Sequence, residues 1–214
     1  MTETLDLAAL IGSRICHDLI SPIGAIGNGV ELMLMDRRSI PPELALIAES
    51  AASANAKISF FRIAFGFSSP GQRVSAKDIQ STLAALGQGG KIRFHWRSPT
   101  DLDRAAVRLA FLLIQCAESA MPWGGDMTIE ESHGSWSLIG EAGRVKYDPE
   151  IWAGFSREEG QAPTTPSEMS AAKVHFLLAQ SDLYRRGLIL SHQFETERLK
   201  LTWGARTSEA KTAS

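Results

Sequence analysis

Between residues 5 and 36 hydrophobic positions recur at alternating spacings of three and four, the period of a long helix that buries one side. At about 100° per residue, Leu19, Ile23, Ile26, Val30 and Met33 form an oily stripe, and Arg14, His17, Ser21, Gly24, Asn28 and Glu31 form a stripe facing away from it. The charged run Asp36-Arg37-Arg38-Ser39 ends the pattern, and a second helix starts at Pro41 and Pro42, whose missing N–H groups suit a first turn. Leu44, Ile47, Ala51, Ala54, Ile58, Phe61 and Phe65 then repeat with three-four spacing up to Gly66. Two antiparallel helices of this kind bury only part of two apolar faces. A second copy completing a four-helix bundle across a twofold axis is the expected arrangement, so a homodimer is expected.

The run Gly66-Phe67-Ser68-Ser69-Pro70-Gly71-Gln72 reads as a linker, after which the pattern changes. Alternation with β-branched and aromatic content predicts strands over 91–97, 126–132, 135–140, 187–192 and 198–203. Helical patterns cover 77–86, 102–120 and 170–186, and 154–168 reads as a loop rich in Gly, Pro, Ser and Thr. The expected fold class is therefore α+β, a helical hairpin over 1–67 followed by an α/β layer over 72–204, with 205–214 a frayed tail.

With 214 residues, 44% of them hydrophobic and 21% charged, the chain can bury a proper core. The net charge of -2 is spread evenly, with 5 basic against 7 acidic residues in 1–67 and 17 of each in 68–214. A clustered basic surface for nucleic acid is absent from this pattern. The two cysteines, Cys16 and Cys116, sit in apolar helical patterns, which disfavours a disulfide framework. No signal-peptide pattern and no run of about 18 apolar residues is found, so a cytoplasmic protein without a membrane anchor is expected.

Candidate chemistry centres on His17. A phosphoryl carrier needs an exposed imidazole nitrogen, room for a partner's active site, and a group that fixes the ring tautomer. Gly24 leaves space on the His17 face, and Asp18 is placed to act either as a base or as an orienter. Pro22 removes one helical hydrogen bond and is expected to bend or loosen the helix below the histidine. A turn near residues 38 and 39 puts residue 17 level with about residue 60, making Lys57, Phe60, Phe61 and Arg62 its neighbours. Lys57 or Arg62 would steady a phosphoryl group, or simply face water. Asn28 and Gly29 fit either docking or local helix irregularity, and Cys16 fits the core.

The run HDLISPIGAIGNGVELM resembles the phosphoacceptor helix of histidine kinase dimerisation domains, with a His, an acidic residue and a Pro five positions after the His. Together with KISFFRIAFG it is similar to the ChpT family of alphaproteobacterial histidine phosphotransferases, and the resemblance spans nearly the whole chain. That resemblance implies a dimerising hairpin followed by a degenerate histidine-kinase ATPase-like α/β sandwich.

In kinases of this superfamily a helix Asn-Leu-Leu-x-Asn-Ala leads through a Pro to a Gly-Gly pair and a strand, and its asparagines reach Mg²⁺ and ATP. Here Leu112-Leu113-Ile114-Gln115-Cys116-Ala117 runs to Pro122 and Gly124-Gly125, with Leu112 and Cys116 at the asparagine positions. The Asp-x-Gly-x-Gly box is replaced by Gly140-Glu141-Ala142-Gly143-Arg144, and the Gly-rich lid by Ala162-Pro163-Thr164-Thr165-Pro166. Phosphate cradling needs closely approaching backbone N–H groups, which prolines disfavour.

The resemblance implies a phosphotransferase that uses no ATP and binds no cofactor or metal of its own, Mg²⁺ being supplied by the partner receiver domain. It implies a donor receiver on a CckA-like hybrid kinase and acceptors among CtrA-like and CpdR-like response regulators. Catalytic roles fall on His17 and Asp18, and partner contacts on Arg14, Ser21, Gly24, Asn28, Lys57 and Arg62. The competing readings are an ATP-using kinase core and a non-enzymatic dimeric scaffold for receiver domains.

Overall fold

A computed structural model describes residues 7–35, 41–155 and 173–205. Contacts divide the chain into two compact units, one holding the chain up to Lys91 with Pro99–Phe111, the other Ile92–Ser98 with the chain from Leu112.

The first unit is built on helices α1 (Leu7–Met35) and α2 (Pro42–Ala64), at the expected places and close to the expected lengths. The predicted turn at 36–39 lies outside the described residues. α1 runs unbroken through position 22, so the proline expected to loosen the helix does not interrupt it. The pairing is antiparallel: Gly12 lies against Phe65, where an added Cβ would stand 3.1 Å from the Phe65 carbonyl oxygen, and Gly27 faces Asn55. Gly12 thus lets the two backbones approach.

Each apolar stripe resolves into two rows. Cys16 and Val30 of α1 and Leu44, Ala51 and Ile58 of α2 are buried. The alternate positions Leu19, Ile26, Met33, Ile47 and Phe61 are 37–51% exposed. A single hairpin therefore covers only half of the seam that the sequence outlines.

After α2 come strand β1 (Arg73–Val74), helix α3 (Ala76–Gly87), strand β2 (Ile92–Trp96), strand β3 (Leu102–Asp103) and helix α4 (Arg104–Ala120). β1 and β3 form a two-stranded antiparallel pair that the sequence reading missed, being too short to show alternation. The pair also corrects the expected helix start at 102, because Asp103 caps α4 by accepting from the Ala106 N–H at 3.0 Å. Ser75 caps α3 in the same way, accepting from Asp78 N–H at 3.0 Å. Phe60 of α2 is 1% exposed and stacks on Phe111 of α4 at 4.7 Å between ring centres, a contact that fixes the C-terminal part of α2.

The second unit is a five-stranded sheet in the order β2-β4-β5-β7-β6, with β4 (Gly125–Ser132), β5 (Ser135–Glu141), β6 (Leu188–Phe194) and β7 (Arg198–Ala205). β2 and β4 are parallel and the other neighbours antiparallel. All five predicted strands are present with ends shifted by up to two residues. Met127, Ile129, Leu138, Leu199 and Leu201 from the sheet and Leu112–Ala117 of α4, except for part-exposed Gln115, form its core. Trp136 stacks on Trp203 at 5.4 Å and meets Trp96 edge-on at 5.7 Å.

Within 154–168, Ala153–Phe155 form a 3-10 turn directly after a short helix, α5 (Pro149–Trp152), and the remainder lies outside the described residues. Helix α6 (Val174–Arg185) starts later than the expected 170, of which 170–172 are also outside.

Candidate functional site

His17 lies near the middle of α1 with its side chain exposed. Ser21, Asn28 and Glu31 on the same stripe are exposed and Gly24 is half-buried, so the described part of the predicted polar stripe faces outward. Nothing crowds Gly24: a Cβ there would have no neighbour within 4 Å. The side chains of Arg14 and Asp18 lie outside the described residues, and so do those of Pro22 and the first helical turn.

Gly12 opposite Phe65 places the next turn of α1, with Cys16 and His17, opposite Arg62. The charge of Arg62 is felt at the Cys16 thiol, whose pKa burial pushes up and Arg62 partly pulls back down. Cys16 is thus a core thiol with its reactive form suppressed. Arg62 and Lys57 are exposed on α2, whereas Phe60, expected as a neighbour of the histidine, points into the core.

Arg62 also belongs to a group of cations. Arg104 at the start of α4 donates to the Arg62 carbonyl oxygen at 2.8 Å and to the Phe67 carbonyl oxygen at 3.2 Å. Its pKa is lowered, by burial first and then by the neighbouring Arg62 and Arg108.

The nucleotide-binding positions of a kinase fare differently. Leu112 and Cys116, where asparagines would reach Mg²⁺ and ATP, are both 0% exposed within the core. Burial holds the Cys116 thiol well above its ordinary pKa. Gly140, where the box aspartate would stand, is closed: an added Cβ would lie 2.6 Å from Met121 Sδ and 3.0 Å from Leu199 Cγ. Among the described residues no group of three or more His, Cys, Asp or Glu is placed to hold a metal ion.

Two features of the second unit escaped the sequence reading. Asp126 accepts from Arg93 Nε at 2.8 Å and stands 3.0 Å from His95 Nε2, and these contacts, Arg93 foremost, bring its pKa down to about 2. The alternation of Arg93 and His95 in β2 was the available signal, but the partner appears only once β2 and β4 pair in register. His175 is buried on α6, 3.3 Å from Ser119 Oγ, and burial lowers its pKa to about 4, so it is neutral at ordinary pH.

A helical hairpin with an exposed mid-helix histidine, followed by a mixed five-stranded sheet, is the arrangement this chain presents. The family model for the histidine phosphotransferase C-terminal domain matches residues 76–192, more than half of the chain. The protein phosphotransferase ChpT of Brucella abortus (strain 2308) is 39% identical over 181 residues, covering 82% of this chain and 85% of the relative. A solved bacterial phosphotransferase matches with a TM-score of 0.65 and 26% identity, over 95% of this chain and 98% of that one. The Acinetobacter baumannii histidine kinase AdeS is a more distant neighbour, with a TM-score of 0.42 and 12% identity over 90% of this chain and 98% of its own.

The chain belongs to the ChpT family of histidine phosphotransferases. Its activity is phosphoryl transfer within a two-component phosphorelay.

Proposed function

We propose that His17 is the phosphoryl carrier, charged by an aspartyl phosphate on one receiver domain and discharged to the aspartate of another. The observation that carries this reading is the exposed imidazole on the open polar stripe of α1. The unprotonated ring nitrogen attacks phosphorus in line, the P–N bond forms, and the acyl P–O bond breaks with its electron pair left on the receiver carboxylate. The other ring nitrogen carries the proton, which Asp18 either takes up as a base or holds in place as an orienter. The step reverses at the acceptor.

Phosphoryl transfer depends mainly on positioning and charge neutralisation. The receiver supplies its acidic pocket and Mg²⁺, and this chain supplies the nucleophile and a helical docking face. Arg14, Ser21, Gly24, Asn28, Lys57 and Arg62 form that face. A CckA-like hybrid kinase is the proposed donor and CtrA-like and CpdR-like regulators the acceptors, all in the cytoplasm. Among the described residues no helix is long and apolar enough to cross a membrane.

The functional unit we propose is a homodimer. Leu19, Ile26 and Met33 recur every seven residues, as do Ile47, Ala54 and Phe61, and one hairpin leaves all of them exposed except the half-buried Ala54. A second hairpin presenting the same rows would bury both. The proposed protein uses no ATP, which buried Leu112 and Cys116 and the closed Gly140 position support.

The test mixes the purified protein with a ³²P-labelled receiver domain. Acid-labile, base-stable label is expected on the wild type and none on His17→Gln, with receiver binding kept. Label acquired from ATP alone, or label on His17→Gln, would overturn the assignment.

A further inference from the structure

Arg104 lies outside both motif-bearing helices of the hairpin, yet its guanidinium ends on α2. It donates to the Arg62 carbonyl oxygen at 2.8 Å and the Phe67 carbonyl oxygen at 3.2 Å, spanning the point where α2 stops at Ala64 and the chain turns away. The last carbonyls of a helix lack partners within the helix and carry its negative dipole end, so a cation bonded there holds the final turn in place. Gly66 makes the approach possible. A Cβ at that position would lie 3.0 Å from Arg104 Nη2 and far inside contact distance of the Arg62 carbonyl oxygen.

The base of Arg104 is itself anchored. Its N–H donates to the Gln72 carbonyl oxygen at 2.8 Å, and the stack of Phe60 on Phe111 pins α4 against α2. The residue whose carbonyl is gripped is Arg62, whose exposed side chain leaves α2 opposite Cys16 and His17. Arg104 feels the charges of both Arg62 and Arg108, and this mutual repulsion disfavours the Arg62 side chain folding back toward Arg104.

We propose that Arg104 is a positioning residue for phosphotransfer, fixing the last turn of α2 so that Arg62 stands beside His17 and meets the charge on the transferring phosphoryl group. This rests on the carrier reading of His17. Misplacing a charge by about 1 Å is enough to cost a large factor in rate, so a residue that sets the position of Arg62 leaves a kinetic signature.

The experiment is a double-mutant cycle on single-turnover label transfer from a phosphorylated receiver domain to the full chain. Arg62→Met is expected to slow transfer about tenfold, below the hundredfold or more of a buried donor because Arg62 is exposed. Arg104→Met is expected to slow it about fivefold in the wild-type background and to change nothing in the Arg62→Met background, the non-additivity expected of two residues acting as one. Arg104→Lys keeps the charge with a shorter, single-pronged donor and is expected to fall between, and it takes the place of Arg104→Met in the cycle if the latter does not fold.

Equal losses in both backgrounds would make Arg104 a purely structural cap and overturn the proposal. An unchanged rate in Arg62→Met or in Arg104→Met would do the same. Failure of the carrier reading is distinguishable, since the wild type itself would then take no label.

Discussion

Gly140 offers the sharpest test of the proposal that this protein does not hold a nucleotide as kinases do. An alanine there would set its Cβ 2.6 Å from Met121 Sδ, 3.0 Å from Leu199 Cγ and 3.3 Å from Leu199 Cδ2. Met121 is 1% exposed and Leu199 0%, so neither can withdraw into solvent. Gly140 also pairs with Met127 on one side and Leu199 on the other, which prevents the strand from shifting away. Overpacking of this kind costs about 1–3 kcal/mol. For a chain of this size that lowers the melting temperature by about 2–12 °C.

Gly140→Asp, which restores the kinase residue, adds the burial of a carboxylate without a cation and costs several kcal/mol more, a large part of a stability of about 5–15 kcal/mol. Trimming the obstruction with Met121→Ala in the Gly140→Ala background should recover part of the loss, because the two changes share one volume. Thermal melting by circular dichroism on the single and double variants reads all of this, and calorimetric titration of Gly140→Asp with Mg²⁺-ATP reads the site. A Gly140→Ala variant that melts within about 1 °C of wild type, or a folded Gly140→Asp that binds Mg²⁺-ATP, would refute the reasoning.

Burial keeps His175 neutral in the folded protein, at a pKa of about 4 against 6.5 in the open chain, so the unfolded state binds the extra proton between those values. Stability is therefore full above about pH 6.5 and falls as the pH drops toward 4, by at most about 3 kcal/mol; His175→Gln should flatten denaturant midpoints measured across that window, and an unchanged slope would remove His175 as the cause. Ile26 is 51% exposed in one hairpin and lies in the row assigned to a second copy. Ile26→Glu should convert a species of twice the chain mass into a monomer in sedimentation velocity, and a wild type that sediments as a monomer would rule the dimer out.

The positions of α1 and α2 were readable because a three-four hydrophobic period persists over more than twenty residues in each. The sheet strands were readable because alternation and β-branched content coincide, as in Met127, Ile129 and Leu138. β1 and β3 were invisible, since two residues carry no period and their pairing joins Arg73 to Asp103 across the whole of α3 and β2. The stripe around His17 was legible from the helical wheel. The guanidinium of Arg104 on the end of α2 was not, as it joins positions 42 residues apart.

By itself the sequence determined which residues share a face, because a helix or strand period is local and depends only on neighbours along the chain. It thereby marked His17 as outward-facing, while only the resemblance to kinases set Leu112 and Cys116 at positions where that superfamily carries asparagines. Only the tertiary structure decided which half of each apolar stripe a single hairpin covers, that Met121 and Leu199 close the space at Gly140, and that Arg104 grips the carbonyl of Arg62. Those outcomes depend on distances between segments remote in sequence, which packing sets and no local period encodes.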